Sequence, residues 1–208
     1  MVRQSSFGVC QMCGTRSGKA AMAAHLRKCL PRAGDGAAVD GLVIRIQAMG
    51  APMYWMDCAV RVDAKLKQLD ALLRRTWLEC CGHLSAFSTG GRSRIGMGVV
   101  IEKALASAGN RVAYEYDFGS TTALVISHSG HIDAVFDKPI RVVARNEPIV
   151  WACDVCGEPA TAICTQCVYD ERGFCCAKHA TKHSCGTDML LPVVNSPRMG
   201  VCGYAGEG

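Results

Sequence analysis

Eight residues near the end of the chain form four short pairs of metal-ligand type. The pairs are Cys153-x-x-Cys156, Cys164-x-x-Cys167, Cys176-x-x-His179 and His183-x-Cys185. Zinc in proteins is mostly held by thiolate and imidazole groups, and two such pairs close one tetrahedral site. Eight ligands therefore predict two zinc ions. With four protein ligands around each ion, no position is left for water, so the predicted sites are structural and not catalytic.

The four pairs can combine in two ways. In a cross-brace, pairs one and three share an ion and pairs two and four share the other, and residues 153–185 resemble B-box-like and MYND-like fingers in this ligand order. In a sequential arrangement the first two pairs share an ion, although only seven residues separate them. The short separation favours the cross-brace. Cys175 is an alternative to Cys176 beside His179, and the regular spacing favours Cys176.

A third site is predicted near the start of the chain, where Cys10-x-x-Cys13 precedes His25-x-x-x-Cys29. The alanine-rich segment 20–30 reads as a helix, and residues four apart on a helix point the same way. His25 and Cys29 can therefore close a tetrahedral site against the two cysteines of a knuckle. The expected cofactor is Zn²⁺, three ions per chain.

The N-terminal finger is also the most basic part of the chain. Residues 1–34 contain six Lys and Arg and no Asp or Glu. A small basic zinc module is typical of contact with a phosphate backbone, although a solvated surface explains the same charges. A basic loop at 90–94 offers a second contact. The predicted nucleic-acid-binding residues are Arg3, Arg16, Lys19, Arg27, Lys28, Arg32, Arg92 and Arg94.

Composition limits the class of protein. Of the 208 residues, 50% are hydrophobic and 20% charged, which is typical of a globular protein and not of a disordered one. The fourteen cysteines accompany no apolar signal core at the start and no apolar run of membrane-spanning length. We therefore expect a cytoplasmic protein with reduced thiols and no membrane partner.

The pattern along the chain divides it into four segments. They are the CCHC finger at 1–32, a linker at 33–39, a central domain at 40–148, and a double-zinc module with a tail at 149–208. The predicted fold class is α+β, with a central, mostly antiparallel sheet and two helices, flanked by the small zinc modules.

Local sequence patterns predict the strands and helices of the central segment. Alternating apolar residues predict strands at 42–46, 55–62, 111–118, 121–127 and 140–144. A helix with Asp63 as N-cap and Gly82 as its end is predicted from the apolar spacing between Leu66 and Trp77. A second helix is expected at 99–108.

Two clusters in the central segment could support catalysis. Cys80, Cys81 and His83 lie at the end of the helix predicted from Asp63 to Gly82, where the negative end of the helix dipole disfavours a thiolate. Glu115 and Asp117 alternate with aromatic residues, and two carboxylates could bind a metal or act in acid–base hydrolysis. Because nothing else completes a catalytic set, we favour an aromatic core face formed by Tyr114, Tyr116 and Phe118. The acidic face opposite it is then solvated, and Asp117 or Ser120 shapes the turn.

Two stretches in the central segment carry a family resemblance. Trp-Leu-Glu-Cys-Cys-Gly-His-Leu-Ser-Ala-Phe at 77–87 and Tyr-Glu-Tyr-Asp-Phe-Gly at 114–119 resemble the Ri-plasmid open-reading-frame-three-like family, some of whose members are labelled transposon passenger proteins. The resemblance covers about residues 40–146 and implies an α+β domain without an established activity. Ser120-Thr121-Thr122 replaces an acidic residue and a Trp that are usual in the family.

Three functions follow from these observations. The first is a non-enzymatic zinc-binding protein that contacts RNA, DNA or an assembly such as the ribosome through its basic finger. The alternative is a protein-interaction adaptor acting through the C-terminal zinc module. A metal-dependent hydrolase using Glu115 and Asp117 ranks last, because all three predicted zinc sites are closed.

Overall fold

The computed structural model describes residues 6–32, 36–90 and 93–206, and the chain groups into two compact units. The first unit contains residues 1–72 and 84–147, and the second contains residues 73–83 and 148–208. Across the described ranges, no helix is both long enough and apolar enough to cross a membrane.

A nine-stranded sheet forms the first unit, and all of its neighbouring strands pair antiparallel. In chain order the strands are β1 Phe7–Cys10, β2 Arg16–Gly18, β3 Val39–Ala48, β4 Trp55–Arg61, β5 Ser85–Ser88, β6 Arg94–Ile95, β7 Arg111–Tyr116, β8 Thr122–Ala134 and β9 Ile140–Asn146. Their order across the sheet is β2-β1-β9-β4-β3-β8-β7-β5-β6. The predicted α+β class with a mostly antiparallel sheet is confirmed.

Four α-helices lie in the described ranges. The α-helices are α1 Lys19–Cys29, α2 Leu66–Leu73, α3 Ile101–Ser107 and α4 Ala177–Ala180. Helix α2 is continued by one π-helical turn, Arg74–Leu78, so helical structure ends before Gly82. Asp63 does not act as the expected cap. Its carboxylate accepts hydrogen bonds from Arg61, and the side chain of Gln68 accepts the N–H of Lys65.

The N-terminal finger shares its sheet and its core with the central segment. Strand β1 pairs with β9, and Met22 and Leu26 of α1 lie in one buried cluster with Trp55. A segment of about thirty residues cannot build a core alone, and burial against the sheet supplies the apolar contacts that it lacks. Whether residues 1–32 fold as a separate domain stays a prediction.

Both faces of the sheet are covered, which explains the apolar runs in β3 and β4. Trp55 and Ala59 belong to the cluster under α1, and the alternate residues Met56, Cys58 and Val60 are also fully buried. Side chains of a strand alternate between faces, so burial of both sets requires cover on both sides. Cys58 behaves as the small buried hydrophobe expected for it.

The β7–β8 hairpin differs from its predicted form in two ways. Strand β7 ends at Tyr116 because Asp117 adopts a left-handed conformation, and Phe118 is therefore exposed instead of facing the core. Strand β8 continues past Ser127 to Ala134 because the ten-residue strand β3 pairs along it. The fully buried Tyr114 and Tyr116 form the expected aromatic core face.

The second unit has only short elements. A three-stranded sheet joins β10 Ala162–Cys164 to β11 Phe174–Cys175 and β12 Leu190–Pro192. Its other regular elements are two 3₁₀ turns, Cys167–Asp170 and Thr187–Met189, helix α4 and the π-helical turn Arg74–Leu78. Trp151 stacks on Phe174 with ring centroids 4.6 Å apart. Elements of two to four residues are marginal without further support, so we expect the metal-ligand groups described next to stabilise this unit.

Candidate metal centres

Four groups of side chains gather in the geometry of a metal site, and each consists of three cysteines and one histidine. In every group the four ligand atoms lie within 4.8 Å of one another. The groups are group one, Cys10, Cys13, His25 and Cys29; group two, Cys153, Cys156, Cys176 and His179; group three, Cys164, Cys167, His183 and Cys185; and group four, Cys80, Cys81, His83 and Cys202. Each group could hold a metal ion.

The separations inside the groups match the edges of a tetrahedral zinc site. Zinc bonds of about 2.3 Å to sulfur and 2.0 Å to nitrogen give S···S edges of about 3.8 Å and S···N edges of about 3.5 Å. The closest sulfur pairs are 3.6 to 3.9 Å apart. A disulfide bond would require about 2.05 Å. All fourteen cysteines, each within the described residues, are free.

Group one combines a knuckle with the helix that follows it. The N–H of Gly14 donates to the carbonyl of Cys10, and the N–H of Cys10 donates to the carbonyl of Thr15. Gly14 has a φ of 74°, a conformation that glycine adopts without steric cost. His25 on α1 then places its Nε2 3.2 Å from the sulfur of Cys13. The structure therefore brings together the four residues predicted for the finger.

The same knuckle recurs in group two. The N–H of Gly157 donates to the carbonyl of Cys153, the N–H of Cys153 donates to Glu158, and Gly157 has a φ of 75°. His179 approaches through Nδ1, which lies 3.5 Å from the sulfur of Cys153 and 3.4 Å from that of Cys176. Cys176 and not Cys175 belongs to this group.

Groups two and three interleave along the chain. Group two joins the first and third pairs of the sequence, and group three joins the second and fourth. In group three, His183 approaches through Nε2, 3.6 Å from the sulfur of Cys167. This is the cross-brace arrangement and not the sequential one.

Cys175 contacts the ring of the group-three histidine, His183, on the side away from the other ligands. Its sulfur lies 3.6 Å from Nδ1 of His183, the ring nitrogen that faces away from the group, and 3.7 Å from the carbonyl of Gly173. When Nε2 of a histidine binds a metal, its Nδ1–H donates a hydrogen bond that fixes the tautomer and the ring orientation. The buried thiol of Cys175 is therefore placed to orient His183, a role that its sequence position did not indicate.

Backbone contacts hold the cross-brace loops together. One oxygen of Asp154 accepts the N–H groups of Gly173 and Phe174, at 2.6 and 2.9 Å. Gly173 has a φ of 104°, and a Cβ there would lie 2.8 Å from the Cβ of Cys167. Only glycine fits this position without moving a group-three ligand.

Thiol ionisation within the groups is uneven. A hydrogen bond from Thr15 lowers the pKa of Cys13 to about 6, whereas burial raises the pKa of Cys29 in the same group to about 12. A hydrogen bond from the backbone of Cys176 lowers the pKa of Cys153 to about 6. Three neighbouring thiolates repel one another, and a bound dication reverses this by favouring the deprotonated form of every ligand.

Group four is the site that the sequence analysis missed. Cys80, Cys81 and His83 were assessed as a catalytic cluster, because their fourth member lies far along the chain. Cys202 lies 119 positions after His83, and its sulfur lies 3.6 Å from Nε2 of that histidine. Three residues of metal-ligand type within positions 80–83 were a sequence signal for a metal site. Their spacing alone, however, could not identify Cys202 as the fourth ligand.

The predicted nucleic-acid contacts fall into three classes. Arg3, Arg92 and the side chain of Arg32 lie outside the part of the chain that the structure describes. Arg16 donates to both carboxylate oxygens of Glu147, at 2.7 and 2.9 Å, and lies over the ring of Phe7. Lys19 donates to Gln47 at 2.6 Å and is partly buried, and desolvation lowers its pKa.

The other three predicted contacts, Arg27, Lys28 and Arg94, are exposed. Arg27 donates one hydrogen bond to the carbonyl of Ser129, and Lys28 follows it in the last turn of α1. Arg94 lies over the ring of Phe118 at 5.1 Å. Arg16 is exposed as well but is paired with Glu147, so the exposed basic residues of the finger without an ion pair among the described residues lie at the end of α1.

The candidate catalytic carboxylates do not form a site. Asp117 is buried, and its Oδ1 accepts the N–H of Gly119, which is the turn-shaping role considered from the sequence. Glu115 is exposed on the strand, and neither carboxylate belongs to any of the four groups found among the described residues.

Comparisons with known proteins do not assign the chain to a family. No family model and no curated protein matches the chain. Among solved structures, the chain is similar to a protein of unknown function, MM3350, from Methanosarcina mazei Go1. The two are 11% identical with a TM-score of 0.37, over 52% of this chain and 69% of the other. A likeness this distant supports no functional argument.

Proposed function

We propose that the protein is a non-enzymatic zinc-binding protein whose first unit contacts nucleic acid, free or within an assembly such as the ribosome. The observation that supports the first part is that every group offers four protein ligands of thiolate and imidazole type. Such ligands favour zinc over the hard cations, and four of them complete its tetrahedral coordination. The predicted role of each ion is therefore to fix the fold.

Charge distribution supports the second part of the proposal. Of the 23 Lys and Arg, 17 fall in the first unit, together with 11 of the 18 Asp and Glu. The first unit therefore has six more basic than acidic residues, and the second has one more acidic than basic. A positive excess of this kind attracts phosphate backbones.

The side chains best placed for that contact are Arg27 and Lys28. Both are exposed, and among the described residues Lys28 has no hydrogen-bonding or ionic partner. Arg16 and Lys19 already bond to Glu147 and Gln47, so phosphate would have to displace those partners. We therefore propose a narrower contact than the eight residues predicted from sequence.

A salt-titrated binding assay tests the proposal. Binding of a fluorescein-labelled single-stranded RNA and of a DNA duplex should be measurable at 50 mM salt and weaken steeply by 200 mM. Arg27→Gln with Lys28→Gln should reduce the slope of log affinity against log salt by about 1 to 2. The matched control is Lys178→Gln with Lys182→Gln, which removes two exposed positive charges from the second unit and should leave the slope unchanged.

The outcome that contradicts nucleic-acid binding is the absence of any retention at 50 mM salt. One observation favours the protein-adaptor function in that case. Val150, Val155 and Tyr169 of the second unit are between 66% and 70% exposed, although the unit is small and nearly neutral. Exposed apolar and aromatic side chains on such a unit are typical of protein contact.

For the central segment we propose a family relationship and no activity. We infer from the stretches 77–87 and 114–119 that it belongs with the Ri-plasmid open-reading-frame-three-like proteins. The hydrolase alternative receives no geometric support, because Asp117 is engaged in its own turn.

A further inference from the structure

We propose that Cys80, Cys81, His83 and Cys202 form a fourth zinc site, which fastens the C-terminal tail to the segment that follows the π-helical turn. This site goes beyond the three ions predicted from sequence and does not depend on nucleic-acid binding. All four residues belong to the second unit.

The ligand set of group four is the same as that of the other three groups. It has three sulfurs and one imidazole nitrogen, and all four atoms lie within 4.8 Å of one another. The sulfurs of Cys81 and Cys202 are 3.6 Å apart, close to the S···S edge of about 3.8 Å in tetrahedral zinc coordination. With this group included, Cys58 and Cys175 are the two cysteines left over, and both are buried.

A buried arginine is placed to balance the charge of this site. Three thiolates and one neutral imidazole around Zn²⁺ leave one net negative charge. Arg198 is fully buried, and its Nε donates to the sulfur of Cys80 at 3.4 Å. A buried guanidinium requires negative charge or strong acceptors nearby, and a metal-bound thiolate is both.

The neighbouring hydrogen bonds hold the tail beside the same segment. Ser196 is buried and donates its hydroxyl to the carbonyl of Trp77 at 2.7 Å, and the same oxygen accepts the N–H of Arg198 at 2.9 Å. These bonds fix the chain shortly before Cys202. A metal at group four would extend this anchor to residues 200–206, which have no regular secondary structure.

The backbone conformation of Cys202 allows a substitution that distinguishes a metal site from an ordinary packing role. Its φ of 56° is left-handed, a conformation that glycine adopts more readily than cysteine. Cys202→Gly therefore removes one thiol and relaxes the backbone at the same time. Without a metal site this change should leave the melting temperature unchanged or raise it. With a metal site it should remove one zinc ion per chain and lower the melting temperature by several degrees.

The experiment measures zinc per chain in the full-length protein, purified with reductant and added zinc. The expected values are four ions for the native chain and three for Cys202→Gly. Cys81→Ser should also give three, and the matched control Gly203→Ala should give four, because a Cβ at Gly203 meets no neighbour. Equal zinc content of the native chain and Cys202→Gly would overturn the proposal. So would recovery of Cys81 and Cys202 as a disulfide-linked peptide from protein alkylated before reduction.

Discussion

Removing the metal should unfold residues 152–192 of the second unit while the nine-stranded sheet of the first unit persists. The strands in that region have two or three residues and the helical turns three or four, too few to be stable alone. Structural zinc contributes about 10 to 16 kcal/mol of apparent binding free energy, which becomes folding free energy when the apo form is unfolded. We therefore expect metal bound at groups two and three to supply most of the stability of this region.

Hydrogen exchange read by mass spectrometry checks this prediction. After treatment with a zinc chelator, peptides from 152–192 should lose nearly all amide protection, and peptides from β3, β4 and β8 should keep theirs. Returning zinc should restore protection, whereas magnesium should not, because it prefers oxygen ligands. Unchanged protection of 152–192 in metal-free protein would show that the fold of this region does not depend on metal.

Replacing Arg45 with Leu should destabilise the first unit by about 3 to 5 kcal/mol, the second-largest effect that we expect. Asp57 is fully buried, and its two oxygens accept hydrogen bonds from Nε and Nη2 of Arg45, at 2.8 and 2.7 Å. Removing the guanidinium leaves a carboxylate in the core beside Trp55 without its principal partner. Denaturant titration measures the loss.

The dependence of that loss on pH separates charge from packing. Burial raises the pKa of Asp57, although Arg45 beside it acts in the opposite direction. In Arg45→Leu the lowering contribution disappears, so the pKa in the folded state rises further above the unfolded value. A raised carboxyl pKa means that stability is lost as pH increases through it, so the defect should be larger at pH 7 than at pH 5.

A control variant completes this test. Asp57→Asn added to Arg45→Leu removes the buried charge and should recover most of the stability lost at pH 7. A loss below about 1 kcal/mol for Arg45→Leu, or a loss that does not change with pH, would contradict the assigned role of the pair.

Local spacing was sufficient to predict three of the four metal-ligand groups. Ligands such as Cys10 and Cys13, or His25 and Cys29, are fixed relative to each other by one turn or one helix, so the sequence contains their geometry. In group four, Cys81 and Cys202 are 121 positions apart in the chain, and no local sequence rule links them. The tail reaches that position through contacts such as the one between Ser196 and the carbonyl of Trp77, which spacing does not encode.

The fold was predictable to a similar degree and for similar reasons. The pairing of β3 with β4 follows from two adjacent apolar runs joined by a short connection. The pairing of β1 with β9 joins residues more than 130 positions apart, so the finger appeared from the sequence to be independent of the sheet. Phe118 was assigned to the core because alternation was continued past Tyr116, where the left-handed Asp117 ends the strand.

The most direct test of the central claim is the metal content and thiol state of the untreated protein. If the Cys₃His groups are closed structural sites, elemental analysis should find three to four zinc ions per chain, and alkylation after denaturation with a chelator should label every cysteine. Fewer than three bound ions per chain, or disulfides among the cysteines of groups one to three, would contradict the account.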